Sequence, residues 1–309
     1  MTPLLRSVFA LGLGLAPSAQ QQAPGPGQPP AATLPAQGQP QRGPGGMPPA
    51  PMTFGSKAIG GPVGLAVYLP PGYEASSLRH PVIYALHGMF ENATFWERRG
   101  LKAAYEDLVK AGIAPVAIVV AVDGGNSLFV NSPKGSYRDL VTRDLVEYID
   151  NTYRTLAKRE GRALLGVSMG GYGALSIAFS APQAFGAVAT HSAMLLSETP
   201  TPEAGVRGGQ MRAFTGVFGE PVDVAMWKSK DPLELAKSAG TNGLPALYFD
   251  CGSSDRYGLF VGNETLHKTL EARKVPHEFG IYPGDHGYDF VRSVFARSLA
   301  FLKERLATK

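Results

Sequence analysis

The segment with the clearest chemical meaning is Gly166-Val167-Ser168-Met169-Gly170. It follows the apolar run 163–165 and precedes a helix-like stretch that starts at Tyr172. The pattern G-x-S-x-G between a strand and a helix is typical of a nucleophile elbow, a sharp turn that exposes a serine hydroxyl at the edge of a sheet. Glycines flank the serine because a Cβ there would collide with the neighbouring strand or helix. We therefore predict that Ser168 is a nucleophile on a strained backbone.

A serine hydroxyl needs a base to remove its proton, and histidine is the usual base. Chains with this elbow carry the partners in the order serine, acid, histidine. Five of the six histidines precede Ser168, follow it too early, or lie in a predicted helix or at the start of a predicted strand: His80, His87, His191, His267 and His277. His286 lies in a glycine-flanked loop between the last predicted strand and the last predicted helix, so we predict that it is the general base.

The acid that orients the histidine should follow the preceding strand, in the stretch 249–255. Asp255 lies on the loop with reach toward His286, and it is the preferred candidate. Asp250 at the strand end is the alternative, and it is less favoured because its carboxylate could bond to backbone groups of the turn. Asp285 adjoins His286 in the chain, so its side chain should point away from the imidazole. The carboxylate would hold the histidine tautomer and stabilise the imidazolium.

An oxyanion hole needs two backbone N–H donors near the nucleophile. One should come from the residue after the serine, Met169, and the other from the loop after the third strand. We assign the second to Met89, with Gly88 allowing close approach of the backbone. At such a place His87 is more often structural than catalytic. The sequence assigns no residue to substrate binding. Six loop residues near the predicted cleft could line a pocket, but ordinary packing explains each of them equally well: Glu91, Phe95, Trp96, Phe129, Trp227 and Tyr257.

Strands and helices alternate along the chain, which predicts an α/β fold with a mostly parallel central sheet and helices on both faces. The predicted strands are 63–69, 82–86, 114–122, the run before Ser168, 185–190, 244–250 and 277–282. The predicted helices are 101–110, 137–153, the segment from the elbow to about 182, 259–273 and 289–306. In such sheets ligands bind at the carboxyl ends of the strands. Residues 192–241 interrupt the alternation and should border the site.

The N-terminal region predicts export. Residues 1–19 combine Arg6, a short apolar run and small residues at the end, as a signal peptide does. Residues 20–51 contain 10 Pro, 7 Gln and 6 Gly, so they should form a disordered spacer with little apolar surface to bury. Residues 52–309 are long enough for one large catalytic domain. We expect a secreted or periplasmic protein.

Composition argues against several other classes of function. The net charge is only +4 and no basic stripe carries interleaved aromatic residues, so nucleic acid is not an expected partner. Cys251 is the one cysteine; it rules out an internal disulfide and is expected to be a buried small hydrophobe. Zinc, dinucleotide and P-loop motifs are absent from the sequence. We expect no metal and no cofactor.

Taken together, these residues resemble the esterase family of α/β-hydrolases that includes feruloyl and acetylxylan esterases, S-formylglutathione hydrolase and the antigen 85 mycolyltransferases. The resemblance covers most of residues 63–306. It is most specific in 143–155, in 162–175 with its Ser-Met-Gly-Gly-Tyr-Gly-Ala run, and in the loops 251–255 and 283–286. It implies an α/β-hydrolase fold with Ser168, Asp255 and His286 as the triad and with Met89 and Met169 as the oxyanion donors.

The resemblance implies hydrolysis of a carboxylic ester through an acyl-enzyme, with export favouring feruloyl or acetyl groups on polysaccharides. Three positions depart from the family pattern: Asp144 stands where Glu is frequent, Asp285 precedes the histidine, and the loop 89–92 is short and poor in glycine. These departures leave the triad intact and the substrate open. The alternatives are a mycolyltransferase-like acyltransferase and a thioesterase of the S-formylglutathione type. A scaffold that only binds is disfavoured, because every triad candidate is present.

Overall fold

A computed structural model describes residues 52–200 and 208–307 of the 309-residue chain. The predicted signal peptide, 1–19, and the predicted spacer, 20–51, lie outside the described residues, so both remain predictions. Within the described ranges, no helix combines the length and the apolar character needed to cross a bilayer.

The centre of the fold is an eight-stranded sheet in the order β1-β2-β4-β3-β7-β8-β9-β10. The six strands from β4 to β10 pair in parallel, and β2 pairs antiparallel with both β1 and β4. The predicted mostly parallel sheet is therefore confirmed. Its strands are β1 Met52–Ser56, β2 Gly61–Tyr68, β3 Val82–Leu86, β4 Ile118–Val122, β7 Arg162–Val167, β8 Ala187–His191, β9 Ala246–Gly252 and β10 Glu278–Tyr282; β5 Asn131–Ser132 and β6 Gly135–Ser136 form a separate small hairpin.

The helices connect the parallel strands and cover the sheet. They are α1 Phe95–Arg98, α2 Leu101–Lys110, α3 Tyr137–Asp139, α4 Leu145–Thr152, α5 Met169–Ser180, α6 Gly208–Phe218, α7 Val224–Lys228, α8 Pro232–Ser238, α9 Leu259–Ala272 and α10 Tyr288–Arg305. A π-helical turn, Leu140–Asp144, joins α3 to α4, and a short 3₁₀ turn, Arg159–Gly161, precedes β7. The predicted helix 137–153 is thus present with a wider turn near its start.

Two apolar layers enclose the sheet, which explains why β3, β4 and β8 are buried along their whole length. On one face, Ile83 packs in the layer that contains α2 and α10, with Phe295 as a large member. On the other face, Tyr84 packs in the layer that contains α5 and α9, with Leu175 as a member. Because both faces of the central strands are covered in this way, these strands are continuous apolar runs rather than alternating apolar and polar residues.

The parallel arrangement carries the predicted functional residues to one edge of the sheet. Ser168 directly follows β7, and Met89, Asp255 and His286 lie in the loops after β3, β9 and β10. Since parallel strands end at the same edge, these four loops meet there.

The segment 192–241, predicted as an excursion, contributes α6, α7 and α8 to the described residues. Asp231 caps α8, its Oδ2 accepting hydrogen bonds from the N–H groups of Leu233 and Glu234 at 3.0 and 3.1 Å. Its Oδ1 is buried and has no hydrogen-bond partner. Burial raises the pKa of the Asp231 carboxyl to about 7, although the two backbone N–H groups work against this rise.

We expect Asp231→Asn to remove a pH-dependent cost of folding. A carboxyl whose pKa is raised in the folded state stabilises the protein below the unfolded pKa, and this contribution is lost as the pH rises through about 7. Asparagine keeps the helix cap without the charge. The free energy of unfolding of the variant, relative to the parent, should therefore rise between pH 4.5 and pH 8 by on the order of 2 kcal/mol.

Urea unfolding of both proteins at several pH values measures this difference. A difference that stays constant across the range would contradict the buried-carboxyl explanation.

Candidate active site

The elbow forces Ser168 into a conformation that serine rarely adopts, with φ 54° and ψ −113°. A Cβ on Gly166 would lie less than 3.0 Å from the carbonyl oxygen of Gly170, and a Cβ on Gly170 would lie equally close to that of Leu86. Both flanking positions therefore require glycine. The turn is so tight because α5 begins directly after the serine and packs against the strand that delivered it.

Backbone hydrogen bonds hold this strained serine. Its N–H donates to the carbonyl oxygen of His191 at 2.9 Å, and its own carbonyl oxygen accepts from the N–H groups of Tyr172 and Met194, each at 3.0 Å. The first bond ties the elbow to the end of β8, the next strand in the sheet. A strained backbone persists only where its surroundings determine it in this way.

In the structure, His286 lies within hydrogen-bond distance of both Ser168 and Asp255, one on each ring nitrogen. His286 Nε2 lies 3.1 Å from Ser168 Oγ, and His286 Nδ1 lies 2.8 Å from Asp255 Oδ2. Asp255 Oδ1 accepts from the N–H of Tyr257 at 2.9 Å. Burial acts to raise the pKa of the Asp255 carboxyl, yet the hydrogen bond and charge of His286, together with the hydrogen bonds of Tyr257 and Cys251, hold the pKa below its usual value.

The two other carboxylates that sequence reasoning considered have different partners. Asp285 accepts from the backbone N–H groups of Arg256 and His286 and forms an ion pair with the Arg256 side chain. That side-chain bond lowers the pKa of the Asp285 carboxyl. Asp250 is fully buried and contacts His191 instead of His286. Of the three carboxylates, Asp255 is therefore the one whose side chain contacts the His286 ring. Its catalytic role remains a prediction.

The two predicted oxyanion donors are the residue next to Ser168 in the chain and a residue in the wall of the same cleft. Met169 is the first residue of α5, where backbone N–H groups have no acceptor within the helix. Met89 follows Gly88 in the loop after β3, and both line the same cleft as Ser168. We retain both assignments as predictions.

His87 explains how the Met89 loop is held. Its Nε2 accepts a hydrogen bond from the N–H of Gly124 at 3.0 Å, so in the neutral ring Nδ1 carries the proton. Nδ1 then donates to the carbonyl oxygen of Gly88 at 2.7 Å. That carbonyl belongs to the same peptide unit as the Met89 N–H, so the buried imidazole fixes the direction of the donor.

The site opens into a cleft of about 210 Å³. Its walls are mainly apolar and include Met89, Phe90, Met194, Tyr257, Leu259 and Tyr288. Phe90 and Tyr257 are strongly exposed, at 73% and 52% of their surface. Large exposed aromatic side chains beside a cleft are suited to contact a bound ligand.

Of the six loop residues that the sequence places near the cleft, Glu91 and Tyr257 line it. The other four are buried in the core: Phe95, Trp96, Phe129 and Trp227. Met194 and Leu259 were missed, because the paths of their loops depend on packing that has no sequence signal. Tyr288 lies two residues after His286, and this position could have indicated it. Among the described residues, no group of three or more His, Cys, Asp or Glu is placed to hold a metal ion.

We expect Gly170→Ala to destabilise the fold severely, since the new methyl group would collide with the backbone of β3. The loss in free energy of unfolding should be at least about 3 kcal/mol, the range of severe overpacking. Gly55→Ala is the matched control, because a Cβ at Gly55 meets nothing within 4 Å. It should change stability by no more than about 1 kcal/mol.

Thermal and urea unfolding of the two variants provide the comparison. Equal stability of the two variants would show that the backbone around the elbow can accommodate a methyl group at position 170.

Comparison with known proteins agrees with the observed fold. The sequence profile of the Esterase family, described as "Putative esterase", matches residues 56–302. Esterase Rv1288 of Mycobacterium tuberculosis is 31% identical over 256 residues, which cover 75% of this chain and 54% of that protein. The chain thus spans about half the length of this relative. S-formylglutathione hydrolase of Paracoccus denitrificans is 28% identical over 81% of this chain and 91% of its own length.

A solved structure of a ferulic acid esterase shares the fold, with a TM-score of 0.70, 24% identity, and coverage of 84% of this chain and 98% of that one. The agreement of sequence profile, relatives and architecture leads to one conclusion. The chain belongs to the Esterase family, and its architecture is the α/β-hydrolase fold.

Proposed function

We propose that this protein is an exported serine carboxylesterase that uses Ser168, His286 and Asp255 as its catalytic triad. The observation that carries the proposal is the continuous line from Ser168 Oγ to His286 Nε2 at 3.1 Å and from His286 Nδ1 to Asp255 Oδ2 at 2.8 Å. A nucleophile, a base and a group that orients the base are the parts that acyl transfer through serine requires.

The reaction follows from these positions. Ser168 Oγ attacks the ester carbonyl while His286 Nε2 accepts its proton, and the tetrahedral intermediate places its oxyanion toward the N–H groups of Met89 and Met169. His286 then gives the proton to the departing alcohol, which leaves an acyl-enzyme. Water, activated by the same imidazole, attacks this acyl group and releases the acid. Throughout, Asp255 stabilises the imidazolium.

For the substrate we propose feruloyl or acetyl esters linked to polysaccharide. The apolar cleft with exposed Phe90 and Tyr257 supports an aryl or sugar group at its mouth. The predicted signal peptide and spacer support an extracellular or periplasmic substrate. The ferulic acid esterase with a similar fold supports the same class.

A second candidate is a thioesterase, which the S-formylglutathione hydrolase of Paracoccus denitrificans favours because its length is almost fully matched. An acyltransferase on the same scaffold would differ only in the acceptor that attacks the acyl-enzyme.

The first test compares the full chain with Ser168→Ala on p-nitrophenyl acetate, p-nitrophenyl decanoate, methyl ferulate and S-formylglutathione. We expect Ser168→Ala to reduce kcat by at least about 10⁴-fold on every substrate that the parent turns over. Ser253→Ala, an exposed serine after β9, is the control and should keep full activity. Faster turnover of methyl ferulate or acetate supports the polysaccharide esterase, and a preference for S-formylglutathione supports the thioesterase.

Undiminished turnover by Ser168→Ala would refute the triad. An added sugar alcohol distinguishes an acyltransferase from a hydrolase. Only the acyltransferase should transfer the acyl group to the alcohol and form a new ester in place of the free acid.

A second prediction concerns the acid. Asp255→Asn should lower kcat by about 10³- to 10⁴-fold, because an amide at this position favours the wrong imidazole tautomer. Asp285→Asn is the matched control, since that carboxylate faces Arg256, and it should change kcat less than about fivefold. Because the pKa of Asp255 is lowered, its carboxylate is ionised from about pH 5 upward, and the loss should be the same from pH 6 to pH 9.

The lowered pKa also means that the Asp255–His286 bond stabilises the fold above the ordinary carboxyl pKa and loses this effect as the pH falls through the lowered value. Equal kcat values for the two asparagine variants would show that Asp255 does not orient the base.

A further inference from the structure

A second Ser–His–Asp set lies beneath the first, built from residues that the proposed reaction does not use. His191 Nδ1 lies 2.9 and 3.0 Å from the two carboxylate oxygens of Asp250, and His191 Nε2 lies 3.1 Å from Ser298 Oγ. The Tyr248 hydroxyl donates to Asp250 Oδ2 at 2.8 Å. We call these four residues the buried network.

The buried network has no access for a substrate. His191, Asp250 and Ser298 expose none of their surface, and Tyr248 exposes 3%. Rings of Tyr248 and Phe295 flank the imidazole at centroid distances of 6.3 and 6.1 Å. An acyl group could not reach Ser298 without unfolding α10, so this set is not a second catalytic site.

What the buried network does reach is the backbone of the elbow. The carbonyl oxygen of His191 accepts the hydrogen bond from the N–H of Ser168 at 2.9 Å. The carbonyl oxygen of Asp250 accepts from the N–H of Ser192 at 2.8 Å, and two residues later the N–H of Met194 donates to the Ser168 carbonyl oxygen at 3.0 Å. The His191 backbone therefore holds the nucleophile directly, and the Asp250 backbone holds the segment 192–194, which bonds to the nucleophile from the other side.

Polar side chains in this place need a reason, because burial of an imidazole and a carboxylate is costly and apolar residues of similar volume often serve stability as well. Hydrogen bonds differ from apolar contacts in being directional. They therefore fix the orientation of the His191 ring and the position of β8 relative to β9 along the strand axis. Ser168 depends on such fixation, because its φ of 54° is unfavourable for a serine.

We propose that His191 and Asp250 are positioning residues for the nucleophile: their buried pair fixes the His191 carbonyl and, through it, the direction of Ser168 Oγ toward His286. This inference rests on the proposed function of Ser168. A displacement of the reacting hydroxyl by a fraction of an ångström affects the chemical step more than it affects substrate binding.

Two substitutions at His191 separate positioning from simple packing. Asparagine places an amide N–H near the position of Nδ1 and can keep the bond to Asp250, whereas glutamine reaches toward Ser298 and loses that bond. We expect His191→Gln to lower kcat by about tenfold or more with KM within twofold of the parent, and His191→Asn to restore kcat to within about threefold. His277→Gln is the control, since His277 bonds to His267 and stacks on Phe249, away from the elbow.

Activity is expressed per reactive serine, counted by titration with a fluorophosphonate, so that unfolded molecules do not enter kcat. The rate constant of labelling should fall in parallel with kcat, because both report the attack of Ser168. If His191→Gln does not fold, Asp250→Asn decides by the same readouts, with at least about a fivefold decrease expected.

The proposal would be overturned if the variant that folds, His191→Gln or else Asp250→Asn, had a lower Tm but a kcat per titrated serine within twofold of the parent. A rise in KM at constant kcat would also overturn it. These results leave the proposed function intact, because that function fails only if the parent enzyme itself does not react at Ser168.

Discussion

The hydrogen bond from the Ser168 N–H to the His191 carbonyl oxygen is the interaction on which the rest of the site depends. It holds a serine at φ 54°, a conformation that costs on the order of 1–3 kcal/mol for a residue with a Cβ. The surrounding fold is arranged to tolerate that cost: glycines at 166 and 170 permit β7, β3 and α5 to approach closely. Without this compression the hydroxyl would not stand above the sheet edge, within reach of an imidazole from a loop three strands away.

Under the proposed mechanism, each loop at that edge has a separate role. The loop after β3 presents the Met89 N–H, whose peptide is oriented by His87. The loop after β9 supplies Asp255, and the loop after β10 supplies His286, which are 31 residues apart in sequence and 2.8 Å apart in space. Because the strands are parallel, all these groups lie at the same edge of the sheet. A small shift of one strand along its axis therefore moves one group relative to the others.

Much of the fold was predictable because the central strands are continuous apolar runs and the elbow has a specific pattern. Helix 101–110 was predicted with the bounds that the structure shows, and the parallel sheet followed from the alternation of elements. The antiparallel strand β1 was not predicted, because a five-residue strand at the sheet edge carries little signal. Asp250 and Asp255 could not be separated by spacing alone. The difference lies in their strand position: Asp250 is still within β9 and faces α10, whereas Asp255 lies beyond it and faces His286. The partnership of Asp250 with His191 joins two strands, and a single sequence does not show which side chains meet across a sheet.

The central claim is that one serine, Ser168, carries the whole reaction. The measurement that tests it most directly is mass-spectrometric mapping of the fluorophosphonate adduct on the full chain, with turnover followed in the same samples. The account predicts one adduct per molecule, on the peptide that contains Ser168, and loss of ester hydrolysis in proportion to labelling. An adduct at another residue, or hydrolysis that continues after complete labelling of Ser168, would contradict it.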